Sequence, residues 1–418
     1  MIKPVDLIYD WNTAGQRPRR PRGPLDINDE TLRDGLQSPS VRQPSAEQKR
    51  VILHLMDDLG ISAVNLGYPG AGPQALDDVV ALAREIRGHR LHLRPNCAGR
   101  TTEADIVPIA EAQQRSGVAI EAALFLGSSP IRQYVEGWDV EFLLRTADAA
   151  VTHARRLGLE VMFVTEDTTR ARPDDLRRLY TAAVAAGAGR ICVADTVGHA
   201  TPWGAWRLVR FMRRVVGDAI AIDWHGHRDR GLDVINALAA AEAGADRLHA
   251  CALGIGERVG NTSMEQLLVN LRLLDWMGWV EIDLRALPAY CRAVADAVGL
   301  PMLPNYPVVG KDAFETSSGV HAAAILKALR RDDRWLADRV YSSVPAEEVG
   351  REQRLTIGPM SGQANVVYWC EQHRVPPHPD FVRRVLDCAK ASTHVLCDEE
   401  ILALVTSGAS SYRTAPVA

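Results

Sequence analysis

The chain has no CxxC pair, and its seven cysteines (97, 192, 251, 291, 370, 388 and 397) are odd in number and scattered. That excludes a secreted disulfide framework and a structural zinc site of the paired-cysteine kind. No apolar run approaches the length needed to span a bilayer, and MIKPVDLIYDWN carries no signal-peptide core. A cytoplasmic location is therefore expected. Charge of one sign is also missing: the formal net charge is −4 over 418 residues. Such a balance gives no electrostatic reason to expect nucleic acid or an anionic membrane as partner. Lysine is scarce, confined to positions 3, 49, 311, 327 and 390, with arginine in its place throughout. A bias of that kind follows genome composition and implies no mechanism. No GxGxxG follows the first strand-like run, which argues against a doubly wound nucleotide-binding sheet.

What is present is a rhythm. Strand-like runs occur at 25–29, 62–67, 92–97, 120–126, 160–166, 190–196, 221–227 and 247–254. Amphipathic stretches such as AEQKRVILHLMDDLG and QALDDVVALAREIRG lie between them, many stopping at glycine. Eight such units over about 250 residues are what a (β/α)8 TIM barrel of the α/β class requires. The spacing predicts a poorly ordered or partner-packed arm over 1–24, the barrel over 25–284, and smaller, mainly helical C-terminal subdomains over 285–418. A barrel places its active site at the C-terminal ends of its strands. ETLRDGLQ (30–37), Glu166, Thr196, DWHGHRDRG (223–231) and GIGERVGN (254–261) all fall there.

On a strand, residues i and i+2 share a face, so His225 and His227 project together and suit one cation. Asp34 would add a carboxylate, leaving open positions where a 2-oxo acid can chelate. Asn261 would add a weaker oxygen ligand or hold a bound water. Arg33, beside Asp34, is placed to stabilise an alkoxide, the alternative being an ion pair at the barrel mouth. Mn, Co, Mg and Zn all fit two imidazoles and a carboxylate to differing degrees.

TLRDGLQSP, EDTTRA, ADTVG, HGHRDRG, GIGERVGN and SSGVH, in that order, resemble the metal-dependent Claisen-condensing synthases. These are the 2-isopropylmalate, citramalate and homocitrate synthases, related to HMG-CoA lyase, and the resemblance spans roughly residues 25–365. It implies condensation of acetyl-CoA with a 2-oxo acid, followed by thioester hydrolysis. It implies Asp34, His225, His227 and Asn261 at the divalent metal, and Arg33, Glu166, His321 and Tyr341 as catalytic residues. Gln37 and Thr196 would bind substrate. It further implies a homodimer with exchanged C-terminal segments, His321 and Tyr341 reaching the neighbour's site. Departures bear on the substrate: Asn65 replaces a strand-two acid, Leu36 gives GLQ rather than GEQ, and Arg228 follows the histidine pair. Arg132 in the strand-four loop and Arg94 on strand three are candidate partners for an acidic distal group. That group would be 2-oxoglutarate-like, or a phosphono- or phosphinopyruvate of antibiotic biosynthesis; for Arg132 a solvated loop position is the alternative. An uncharged 2-oxo acid, an HMG-CoA-type lyase and a non-catalytic barrel scaffold are the competing readings.

Overall fold

The computed structural model describes residues 7–12, 20–277 and 282–409, so most of the expected arm and residues 410–418 lie outside the described residues. Of RPRRPRGP, Arg20 pairs with Asp275 and Arg22 with Asp218, so this part is tied to the chain's own surface.

Eight parallel strands close into a barrel in sequence order. They are β1 (Asp26–Asp29), β2 (Ala63–Asn65), β3 (Arg94–Arg100), β4 (Glu121–Gly127), β5 (Glu160–Glu166), β6 (Arg190–Asp195), β7 (Ala221–Gly226) and β8 (Arg247–Ala250). Helices ring it: α1 (Ala46–Leu59), α2 (Pro73–His89), α3 (Glu103–Ser116), α4 (Pro130–Glu136), α5 (Val140–Arg156), α6 (Pro173–Ala185), α7 (Pro202–Val216), α8 (Asp233–Ala243) and α9 (Met264–Leu273). The strands are apolar on both faces because helices cover one side and the barrel interior the other. Local signals start the helices where expected: Ser45 and Gln48 form a reciprocal capping box on α1, which a left-handed Gly60 stops.

The interior is not wholly apolar. β1 and β8 pair with Asn28 opposite His249, closing the barrel and lining up side chains 221 residues apart in sequence. A buried charged column results. Glu30 lies 3.2 Å from His249 Nδ1, and His249 Nε2 lies 2.8 Å from Asp223 Oδ2. Asp223 then pairs with Arg247 at 2.5 Å and Arg190 at 2.7 Å, and both arginines reach Glu121. The column starts past the C-terminal end of β1 and ends at the N-terminal residues of β4, β6 and β8.

Among the described residues, 284–288 and 302–409 make a second compact unit, whereas 289–301 belong with the barrel. It holds α11 (Gly319–Leu329), α12 (Arg334–Arg339), α13 (Gln363–His373), α14 (Pro379–Ala391) and α15 (Asp398–Ala409), after α10 (Leu287–Val298), which straddles the division. A two-stranded parallel sheet pairs β9 (Glu315–Thr316) with β10 (Arg354–Leu355). Val366, Trp369 and Val385 sit in its main apolar cluster. Among the described residues, no helix is long and apolar enough to cross a membrane.

Candidate metal centre and active site

His225 lies on β7 and His227 just past its end, where it bridges antiparallel to Asn261. Their Nε2 atoms converge to 3.3 Å. Asp34 arrives from the turn after β1, its Oδ2 3.5 Å from His225 Nε2 and 3.9 Å from His227 Nε2. Metal–ligand bonds of about 2.0–2.1 Å put tetrahedral ligand atoms roughly 3.3 Å apart, so these spacings fit a divalent cation. The protonation states fit as well. Burial, and next His225, push His227 down to about 4, keeping it neutral and able to ligate. Burial would raise the Asp34 carboxyl, but Arg33 and the two imidazoles outweigh it and hold it well below the usual range. His227 Nδ1 is buried without a hydrogen-bond partner, so nothing fixes its proton on that nitrogen.

Asn261 reaches the triad through its amide nitrogen, while its Oδ1 is buried without a hydrogen-bond partner. Its Nδ2 donates to Asp34 Oδ1 at 2.8 Å and to the Ile255 carbonyl at 3.2 Å, so its amide orients the carboxylate. The GIGERVGN loop folds tightly enough to put it there. A Cβ on Gly260 (φ 110°) would lie 1.8 Å from the Gly254 carbonyl, and one on Gly256 (φ 151°) would lie 2.0 Å from Asn261 Nδ2.

Arg33 is held between two acids, 2.6 Å from Glu30 and 2.9 Å from Asp34. Burial opposes its charge, but those carboxylates raise its pKa on balance. Glu30 also accepts from Asn28 at 2.7 Å and from Asn65 at 3.1 Å. Burial raises its carboxyl, yet Arg33 and His249 bring it down to about 2. Neither Glu30 nor His249 was assigned a role from sequence. The available signal was a set of polar residues (Asn28, Asn65, Asn96, Asp223, His249) inside otherwise apolar strands.

These groups open into a chamber of about 220 Å³ at the C-terminal mouth. Gln37, Tyr68, Glu166 and Thr196 line it with the donor triad, and Ala98, Ala123, Met162 and Cys192 contribute apolar surface. Burial raises the Glu166 carboxyl, only partly offset by Arg132. Thr196 Oγ1 accepts from the Asp167 amide at 2.9 Å, which leaves its own hydrogen free to donate.

Arg94, Arg228 and Arg132 do not line the chamber. Arg94 opens β3, at the opposite end of the barrel from the chamber, and its guanidinium pairs with Asp26 at 2.5 Å. The strand runs on through Arg100 instead of stopping at Cys97, and this fixes Arg94 at the far rim. Arg228 does not line the chamber. It donates to the Val259 carbonyl at 2.8 Å and approaches Ser263 at 3.3 Å, bracing the glycine-rich loop. Arg132 pairs with Glu136 at 3.0 Å, half-exposed, and is likewise not among the lining residues. His321 and Tyr341 meet in the second unit, both exposed, with rings stacked 3.9 Å apart.

The probable 2-isopropylmalate synthase of Ignicoccus hospitalis is 33% identical over 377 residues, covering 87% of this chain and 86% of its own. Homocitrate synthase AksA of Methanopyrus kandleri is 33% identical over 365 residues, covering 87% of each chain. Among solved structures, the hydroxymethylglutaryl-CoA lyase of Pseudomonas aeruginosa superposes with a TM-score of 0.55 at 19% identity, over 70% of this chain and 97% of that one. At that identity the likeness shows the fold alone. The HMGL-like family matches residues 24–294, the barrel with its surrounding helices, and the chain belongs to that family.

Proposed function

We propose that the chain is a C-acyltransferase joining acetyl-CoA to the ketone carbon of a 2-oxo acid, then hydrolysing the thioester to release CoA and a 2-substituted malate. The observation that carries this reading is the convergence of Asp34, His225, His227 and the clamped Arg33 on one chamber, in a chain whose relatives are named as synthases of this kind. A divalent cation (Mn, Co, Mg or Zn) held by Asp34, His225 and His227 would polarise the ketone as a Lewis acid and fix its orientation. Asn261 keeps Asp34 turned toward that position, acting behind the ligand it orients.

Arg33, its guanidinium fixed by two carboxylates, stabilises the alkoxide that develops on the former ketone oxygen. The Thr196 hydroxyl donates to the substrate carboxylate, and Gln37 contributes a second polar contact. An α-proton of a thioester is weakly acidic and needs a positioned base. Glu166 supplies one, its carboxyl raised by burial toward the working pH. His321 and Tyr341 complete the site from a second copy, as proton carriers in a homodimer with exchanged C-terminal segments. Their mutual stacking on an exposed surface fits that role.

The chamber wall favours an uncharged distal substituent on the 2-oxo acid. Ala98, Ala123, Met162 and Cys192 offer apolar surface, and Glu30 adds negative charge nearby. A second reading keeps the acidic distal group, resting on Arg132 at the strand-four loop, whose charge is felt at Glu166. Thiol release from acetyl-CoA across pyruvate, 2-oxoisovalerate, 2-oxoglutarate and phosphonopyruvate distinguishes the two. The expected preference is for an uncharged acid; a clear preference for either diacid reverses the substrate assignment. No thiol release with any of them, together with cleavage of a 3-hydroxyacyl-CoA, would replace the synthase by a lyase. Arg94→Gln is expected to leave KM for the 2-oxo acid unchanged, because its ion pair lies at the far rim. A selective rise in that KM would restore Arg94 to the site.

A further inference from the structure

Away from the barrel mouth, α1 and α2 bring together a second set of donor atoms. Glu85 and His89 are one turn apart on α2 and share a face, and His54 comes across from α1. Both imidazoles aim Nε2 at the same oxygen: Glu85 Oε1 is 2.8 Å from His54 and 3.2 Å from His89. The rings meet edge-to-face at 4.9 Å. Glu85 is sheltered between the helices at 18% side-chain exposure, whereas His54 and His89 are reachable at 37% and 59%.

We propose that His54, Glu85 and His89 form a peripheral divalent-metal site on the outside of the barrel, suited to Zn2+ or Cu2+. All three ligand atoms lie within 4.8 Å of one another. The two nitrogen–oxygen spacings are already close to the roughly 3.3 Å edge of a tetrahedron with bonds of about 2.0–2.1 Å. Two imidazoles and one carboxylate favour Zn2+ or Cu2+ over Mg2+ or Ca2+, which prefer all-oxygen sets. An imidazole with its proton on Nδ1 offers the Nε2 lone pair to an ion. Arg50 Nε, 3.8 Å from the other carboxylate oxygen, stays with that oxygen and orients it, while Arg50 Nη1 pairs with Glu47. A bound ion would cross-link α1, which follows the Arg33–Gln37 segment, to α2, which follows Tyr68. The expected effect of occupancy is stabilisation of the catalytic scaffold, with no part in the chemistry.

The test is equilibrium dialysis of the full-length, chelator-stripped chain against Zn2+, with metal counted per chain. The wild type should bind two equivalents. His54→Asn/His89→Asn should bind one and keep its turnover, and His225→Asn/His227→Asn should keep one. Cu2+ in the latter variant should show nitrogen hyperfine coupling that His54→Asn/His89→Asn substitutions abolish. A wild type that binds one equivalent, unaffected by His54→Asn/His89→Asn, overturns the peripheral site and leaves the barrel site standing. A single equivalent lost with His54→Asn/His89→Asn instead supports the peripheral site and removes the barrel one.

Discussion

Asp34→Ala is expected to abolish thiol release from acetyl-CoA in the presence of a 2-oxo acid, by about 10³-fold or more. Lewis-acid polarisation contributes several kcal/mol to a transition state, and each ~1.4 kcal/mol is tenfold in rate. The carboxylate is the one anionic donor of the triad, so its removal leaves only the two imidazoles to hold the ion and Glu30 as the remaining acid at Arg33. Metal content should fall with turnover, which separates loss of the ion from loss of a proton carrier. The same variant tests the dimer. If His321 acts in the neighbour's site, mixing Asp34→Ala chains with His321→Ala chains creates dimers in which one site has both residues. With random C2 pairing, about a quarter of all sites are then intact, and that fraction of activity should return. Wild-type turnover in Asp34→Ala with its metal retained would defeat the site assignment. No recovery on mixing, with each variant alone inactive, would defeat the exchange.

Asp223→Ala is the largest expected loss of stability. Its carboxylate is fully buried and bonded to Arg190, Arg247 and His249 at once. Breaking a buried pair from one side strands the partner charge, at a cost of about 3–5 kcal/mol. Burial would raise Asp223, but Arg247 and then Arg190 outweigh it, so its folded pKa lies well below normal. A depressed carboxyl contributes stability that is fully present above the unfolded value, about 3.9, and lost as pH falls below it. The gap between wild type and variant in urea midpoint should therefore be wide at pH 7 and narrow below about pH 4. Midpoints within experimental error of each other at pH 7 would show that the column carries no net stability.

The barrel was legible because every unit repeats one pattern: a short apolar run, a turn, an amphipathic helix. The strand ends were mostly placed within a residue or two, but β8 stops four residues short of the expected end and β3 runs three past it. AGRTTE resembles a turn, yet Ala98–Arg100 continue the strand against β4, and the three-residue difference is what misplaced Arg94. The donor triad was legible because two of its members are two residues apart on one strand. Glu30 and His249 were not, although both stood inside stretches already singled out. Their relation exists only once β1 lies against β8, and no local spacing records that closure. Asn65 carried a partial sign, a neutral residue where an acid was expected. In the structure it donates to Glu30, whose carboxylate comes from the neighbouring strand end.

The interior column also constrains how this sequence can change over time. Asp223, Arg247, Arg190 and Glu121 pair with one another, and His249 joins Asp223 to Glu30, so any one of them alone looks immutable. Contacting residues of this kind are coupled, and replacing a whole buried ionic set by apolar groups is often neutral where single changes fail. Drift at these positions must therefore proceed by compensated sets. A library randomised one site at a time would return the present residue at each, while one randomised jointly would uncover apolar interiors that single steps cannot reach.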